Sequence, residues 1–116
     1  MQYTRLAPAR RSAAGRGLGY RHAMTYEEML ELARRFEGQA LETVTGKTFR
    51  VGVYRDCPVF TPESSGFGQS DGPAAARAFV DRFNETGSLR PGDYAKVTRN
   101  ASYFVGLLLA GGRREP

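Results

Sequence analysis

The sequence has one cysteine, Cys57, one histidine, His22, and no tryptophan. A single thiol closes no internal disulfide, so nothing asks for an oxidising compartment and a cytoplasmic setting is the expectation. His22 lies near the N-terminus, outside the stretch that carries folding signals. A Ser-His or Cys-His pair in the core is therefore excluded, and no His/Cys cluster is at hand to hold a metal. Cys57 precedes a proline on a predicted strand and reads as a small buried hydrophobe rather than a thiolate nucleophile. Long apolar runs are missing as well. The greasiest tract, residues 105–110, falls far short of the roughly 18 residues of a membrane span, so no membrane partner is expected.

Motifs of catalysis are equally scarce. Gly15-Arg16-Gly17-Leu18-Gly19 follows no strand and opens no helix, so it is no dinucleotide fingerprint. Ser64-Ser65-Gly66-Phe67-Gly68 has no Gly-Lys-Ser/Thr and is not a nucleophile elbow. It is either an anion cradle of backbone amides or a loop with Phe67 tucked beneath it. No enzyme and no cofactor are expected.

What is present is positive charge, unevenly placed. The 116 residues carry a net +5. Residues 1–23 hold Arg5, Arg10, Arg11, Arg16 and Arg21 and no acid, and residues 113–116 add a net +1, which leaves −1 for residues 24–112. The ends are basic and the folding part is near neutral. Residues 1–23, rich in Ala, Gly and Arg and without apolar periodicity, read as a disordered arm. Two readings of the arm compete: an arginine-rich segment that orders on a polyanion, or a non-native leader ahead of a true start at Met24. Residues 24–112 form one domain, with 113–116 as a tail.

Within that domain Thr25 and Glu28 form a capping box, with Met24 and Met29 as its hydrophobic staple. Tyr26, Met29, Ala33, Phe36, Ala40 and Val44 recur at helical steps and predict a helix over 26–44 with Gly46 beyond its end. Residues 48–54 alternate Phe49, Val51 and Val53 with polar positions, and residues 57–62 hold two prolines. Together they predict a hairpin whose second strand is an edge. Pro73 opens a second helix that runs to about residue 85, with Ala76, Phe79, Val80 and Phe83 on one face and Gly87 at its end. Pro91-Gly92 makes a turn, Asp93 caps a short helical turn around residues 94–97, and Asn100 has cap chemistry for a last, largely apolar helix over 101–110, with a strand as the alternative for so short an apolar run. The expected fold class is α+β: helix, β-hairpin, helix, turn and buried C-terminal helix.

Phe60-Thr61-Pro62-Glu63-Ser64-Ser65-Gly66, Phe83-Asn84-Glu85-Thr86-Gly87-Ser88, Arg90-Pro91-Gly92-Asp93-Tyr94 and Asn100-Ala101-Ser102-Tyr103 resemble a pattern in small uncharacterised bacterial proteins. These include kinds carried on mobile elements such as integron cassettes. The resemblance implies a compact α+β domain and a bacterial origin, and brings no catalytic role.

The segment 87–103 is the candidate site. Arg90, Lys96 and Arg99 stand against Asp93, and Asn100 and Ser102 add polar groups at the start of the last helix, the set that contacts phosphate. A bland reading stands beside it, in which Ser88, Asp93 and Asn100 are caps and Tyr94 and Tyr103 pack on the core. The functional expectation is a small non-enzymatic nucleic-acid-binding module. The alternative is a protein-interaction or self-associating module, a homodimer for example, that uses Tyr54, Phe67 and the edge strand 57–62.

Overall fold

The computed structural model describes residues 23–114. The arm expected over 1–23 therefore lies outside the described residues apart from Ala23, as do the last two residues of the tail. The first helix, α1 (Tyr26–Arg35), starts as its sequence requires. The Glu28 N–H donates to the Thr25 hydroxyl at 3.0 Å, and the Thr25 N–H donates to the Glu28 carboxylate at 2.8 Å. Tyr26, Met29, Leu30 and Ala33 form its buried stripe.

The helix stops well before residue 44, and the prediction to that point is corrected. Phe36 is the C-cap, and Gly38 takes the left-handed φ of +81° and hydrogen-bonds through its N–H to Val51 O at 3.4 Å. A helix cannot run through that backbone state. Ala40 and Val44, assigned by spacing to the helical stripe, are exposed. Leu41–Glu42 instead forms a short strand, β1, paired antiparallel with β2 (Thr48–Tyr54). Gly46 is the left-handed residue of the loop between them, not a helix end.

β2 and β3 (Cys57–Pro62) make the predicted hairpin, in register Tyr54↔Cys57 through Phe49↔Pro62, and the sheet order is β1-β2-β3. β3 is an edge. Its prolines alternate with Phe60, whose N–H and C=O point away from β2 to bond the backbone of Gln69 at 2.9 and 2.6 Å. By the same alternation the missing N–H groups of Pro58 and Pro62 lie on the outer side, where they remove no ladder bond. Along residues 58–62 the outer side of β3 therefore offers no free donor.

Helix α2 (Gly72–Thr86) buries Ala76, Phe79, Val80 and Phe83 and closes at Gly87, φ +67°. A 3₁₀ turn over Pro91–Tyr94 follows, earlier than the predicted 94–97, with Pro91 rather than Asp93 at its start because proline's fixed φ suits a first helical position. Helix α3 (Ala101–Ala110) has the predicted bounds and buries six of its ten residues. A chain of ring contacts ties the layers together. Phe49 meets Phe60 at 6.0 Å between centroids, Phe60 meets Phe104 at 4.8 Å, Phe104 stacks on Phe79 at 4.6 Å, and Phe79 meets Tyr94 at 4.4 Å. The core thus runs from the inner face of the sheet through α3 to α2 and the 3₁₀ turn. No helix among the described residues is long and apolar enough to cross a membrane.

Candidate nucleic-acid interface

Around the 3₁₀ turn, side chains brace the backbone of residues 87–100 in addition to its own turn bonds. The buried Tyr94 hydroxyl donates to Ser88 O at 2.6 Å. The Ser88 hydroxyl donates to Asp93 Oδ2 at 2.5 Å and accepts from the Arg90 N–H at 3.0 Å. Tyr94 therefore packs as the bland reading has it, and Tyr103 does too, stacked on Phe60 with 5.7 Å between centroids, whereas Ser88 braces Asp93 and the Arg90 N–H and caps no helix.

Asp71 holds the other end. It stands at the N-cap of α2 yet makes no side-chain bond to that helix. Its carboxylate accepts from the Thr98 hydroxyl at 2.8 Å, the Arg99 N–H at 2.9 Å and the Asn100 side-chain amide at 3.2 Å. Burial pushes the Asp71 pKa up, but these donors outweigh it and hold the group below its usual value of 3.8. Asn100 is the N-cap of α3 by position only, since its side chain makes no cap bond. Thr98 completes the relay by accepting from the Asn100 N–H at 3.0 Å.

On this frame Arg90, Lys96, Arg99 and Ser102 are exposed. Arg90 pairs loosely with Asp93 at 3.8 Å while its own side chain is 79% exposed. An exposed pair of that kind contributes about 0–1 kcal/mol, so the guanidinium remains open to a stronger anion. Neither the Lys96 nor the Arg99 side chain has an ion pair with a described residue. Asn100 differs from its expected role as an exposed phosphate contact. It is only 4% exposed, because its amide is drawn in to Asp71. Because α3 is a core helix with Ser102 and Ala110 as its exposed positions, it has no polar face with which to read a groove.

Arg82, absent from the predicted set, joins the corner by donating from Nε to Asp93 O at 3.3 Å, so Arg82 and Arg90 both contact Asp93. Its i,i+3 partner on the same helix is Glu85 at 4.0 Å, and no local signal in the sequence points to Asp93. Asn84 anchors the chain entry: its amide donates to Met24 O at 2.8 Å and its carbonyl accepts the Met24 N–H at 2.9 Å. The point where residues 1–23 join the domain thus lies against α2.

The loop after β3 is no anion cradle. The amides of Ser65 and Gly66 donate to Pro62 O and that of Phe67 to the Ser65 hydroxyl. Phe67 is not tucked under the loop but 77% exposed. Cys57 is buried, with its sulfur 3.3 Å from the Ser70 hydroxyl. Among the described residues no group of acids, histidines and cysteines is placed to hold a metal. A shallow groove of about 430 Å³ lies between Gly68, Gln69 and Ser70 on one side and Arg99 and Asn100 on the other.

No protein family, curated protein or solved structure matches the chain.

Proposed function

We propose that the protein is a non-enzymatic nucleic-acid-binding module that contacts phosphate through Arg90, Lys96, Arg99 and Ser102, with Arg82 beside Arg90. The observation that carries this reading is Arg99: its backbone is clamped to Asp71 while its side chain stays exposed and without an ion pair to any described residue. A fixed backbone under a free cation lowers the cost of ordering a phosphate contact. Charge is also partitioned along the chain. Residues 72–114 hold seven Arg and Lys against three acids, whereas residues 24–71 hold five against eight. Residues 1–23 add five arginines, and a nucleic-acid partner gives both basic segments a use.

The test is binding to single-stranded and duplex DNA and RNA across a salt series. Affinity falls steeply with salt, and Arg90→Ala with Arg99→Ala lowers the log–log slope by roughly 0.7–0.9 for each phosphate that the pair neutralises in the parent protein. Binding that ignores salt, or no binding to any of the four, refutes the proposal. The shortened chain 24–116 measures what residues 1–23 add.

The outer face of the sheet supports a second reading, self-association. Arg50, Gly52 and Tyr54 of β2 with Val59 and Thr61 of β3 line a depression of about 510 Å³, and Tyr54 is 65% exposed. The face serves this reading better than the edge of β3, whose outward donors are absent or engaged. A dimer seen by light scattering that Tyr54→Ser dissociates and Arg99→Ala does not would favour it.

A further inference from the structure

Asn100 has more hydrogen-bonding capacity than the fold uses. A carboxylate only accepts, so the Asn100 amide nitrogen must face Asp71, which fixes the orientation of the carboxamide. Its carbonyl oxygen and second N–H have no hydrogen-bond partner among the described residues. Buried polar groups left in that state are uncommon in folded proteins. Asn100 lines the groove between residues 68–70 and 99–100, together with Gln69, Ser70 and Arg99.

The walls of that groove are rigid. Gln69 is bonded to Phe60 through both its N–H and its C=O, the Arg99 N–H is bonded to Asp71, and Gly68 lies flat on β3. A Cβ on Gly68 would stand 2.9 Å from Val59 Cγ1. The residue before Gly68 is Phe67, whose ring is exposed. The groove thus combines a buried donor and acceptor from Asn100, a second carboxamide on Gln69 and a cation on Arg99, and the exposed aromatic residue Phe67 directly precedes its wall in the chain.

We propose that this groove takes one unpaired nucleotide, with its base edge on Asn100 and Gln69, its phosphate on Arg99 and its ring against Phe67. An asparagine carboxamide offers one donor and one acceptor, the pair a base edge presents in return. Exposed aromatics are the usual platform for unstacked bases. The inference rests on the phosphate-binding reading and adds to it a preference for single strands and a dependence on the base.

Fluorescence anisotropy of the full chain with single strands of adenine, cytosine or thymine, and with an abasic strand of equal length, tests it. Base-bearing strands bind about fivefold tighter or more than the abasic strand, and Phe67→Ala or Gln69→Ala narrows that gap while leaving abasic binding unchanged. Equal affinity for abasic and base-bearing strands overturns this inference and leaves phosphate binding standing. Absence of binding to every strand overturns both. Asn100 is probed without mutation by following its side-chain amide pair by NMR during titration with adenosine 5′-monophosphate. Movement of that pair supports the site, and an unmoved pair at saturation removes it.

Discussion

The Asp71 carboxylate accepts the backbone N–H of Arg99 at 2.9 Å, so the residue that opens α2 fixes the approach to α3. Three donors on Thr98, Arg99 and Asn100 converge on one charge. Replacing Asp71 with Ala leaves the Thr98 hydroxyl and the Asn100 amide without their acceptor and lowers stability by about 2 kcal/mol, measured by urea denaturation at neutral pH. The pH dependence has a definite sign. The folded pKa is held below the usual 3.8, so the stabilisation is complete above that value and is lost as pH falls through the lower folded one. Asp71→Asn therefore loses stability at neutral pH and flattens the acid limb of the stability curve. An acid limb unchanged from the parent protein would show that Asp71 does not carry this term.

This pair also shows where sequence reading stops. Thr25 and Glu28 were legible as a capping box because both partners sit within one turn, and the β2–β3 hairpin because its alternation and its prolines are local. Asp71 and Asn100 lie 29 positions apart; Asn100 looks like a cap for its own helix, and Asp71 has no local signal that points to it. At Asn100 the residue type fits a cap, but the partner is Asp71 rather than the first turn of α3. The excess length given to α1 has a similar cause: Phe36, Ala40 and Val44 continue the helical spacing, and apolar periodicity carries no information about the sign of φ at Gly38. β1, two residues long, has no signature of its own and exists through its pairing with Phe49 and Thr48. At the candidate site the exposed cations were visible from composition. Burial of Asn100, and the groove it lines, required the tertiary fold.

Gly106 sits in the middle of α3 where the chain of β1 crosses close by. A Cβ there would lie 2.8 Å from Glu42 O and 2.9 Å from the Phe49 ring. The first contact is backbone and the second belongs to a fully buried ring in the aromatic chain, so neither yields easily. Gly106→Ala is expected to destabilise by about 1–3 kcal/mol despite the better helix propensity of alanine. Thermal denaturation followed by circular dichroism measures this, and a gain in midpoint would mean that β1 moves aside freely.

The β2–β3 turn stores strain that can be released. Arg55 and Asp56 both have positive φ, 52° and 58°, the pattern of a type I′ hairpin turn. Side chains other than Gly, Asn and Asp adopt this state at a cost of about 1–2 kcal/mol, so Arg55 carries most of the strain. Arg55→Asn is expected to raise stability by roughly 0.5–1 kcal/mol, since the turn's ties to α1 run through Asp56. Those ties are the Tyr26 hydroxyl to Asp56 O at 2.7 Å and Arg34 to the Asp56 carboxylate at 3.6 Å. A lower urea midpoint in this variant would show that the Arg55 contact over the Tyr54 ring, 5.3 Å to the centroid, outweighs the backbone strain.

Tyr26 gives the alkaline counterpart to Asp71. Burial, reinforced by neighbouring Cys57 and only partly offset by the Arg77 guanidinium 4.0 Å from its ring centroid, pushes the phenol up to about 12 from 10.0. The folded state therefore favours the neutral phenol. The stability this contributes is present below pH 10 and is lost as pH rises through about 12, where the hydroxyl can no longer donate to Asp56 O. Tyr26→Phe removes that hydrogen bond, lowers stability at neutral pH by about 1 kcal/mol and abolishes this part of the alkaline loss. Ultraviolet titration of the tyrosinate band against the parent protein checks it, because the variant must lack a component that titrates about two pH units above the reference phenol value of 10.0. If the component that disappears titrates near pH 10 instead, the buried environment of Tyr26 does not hold its proton.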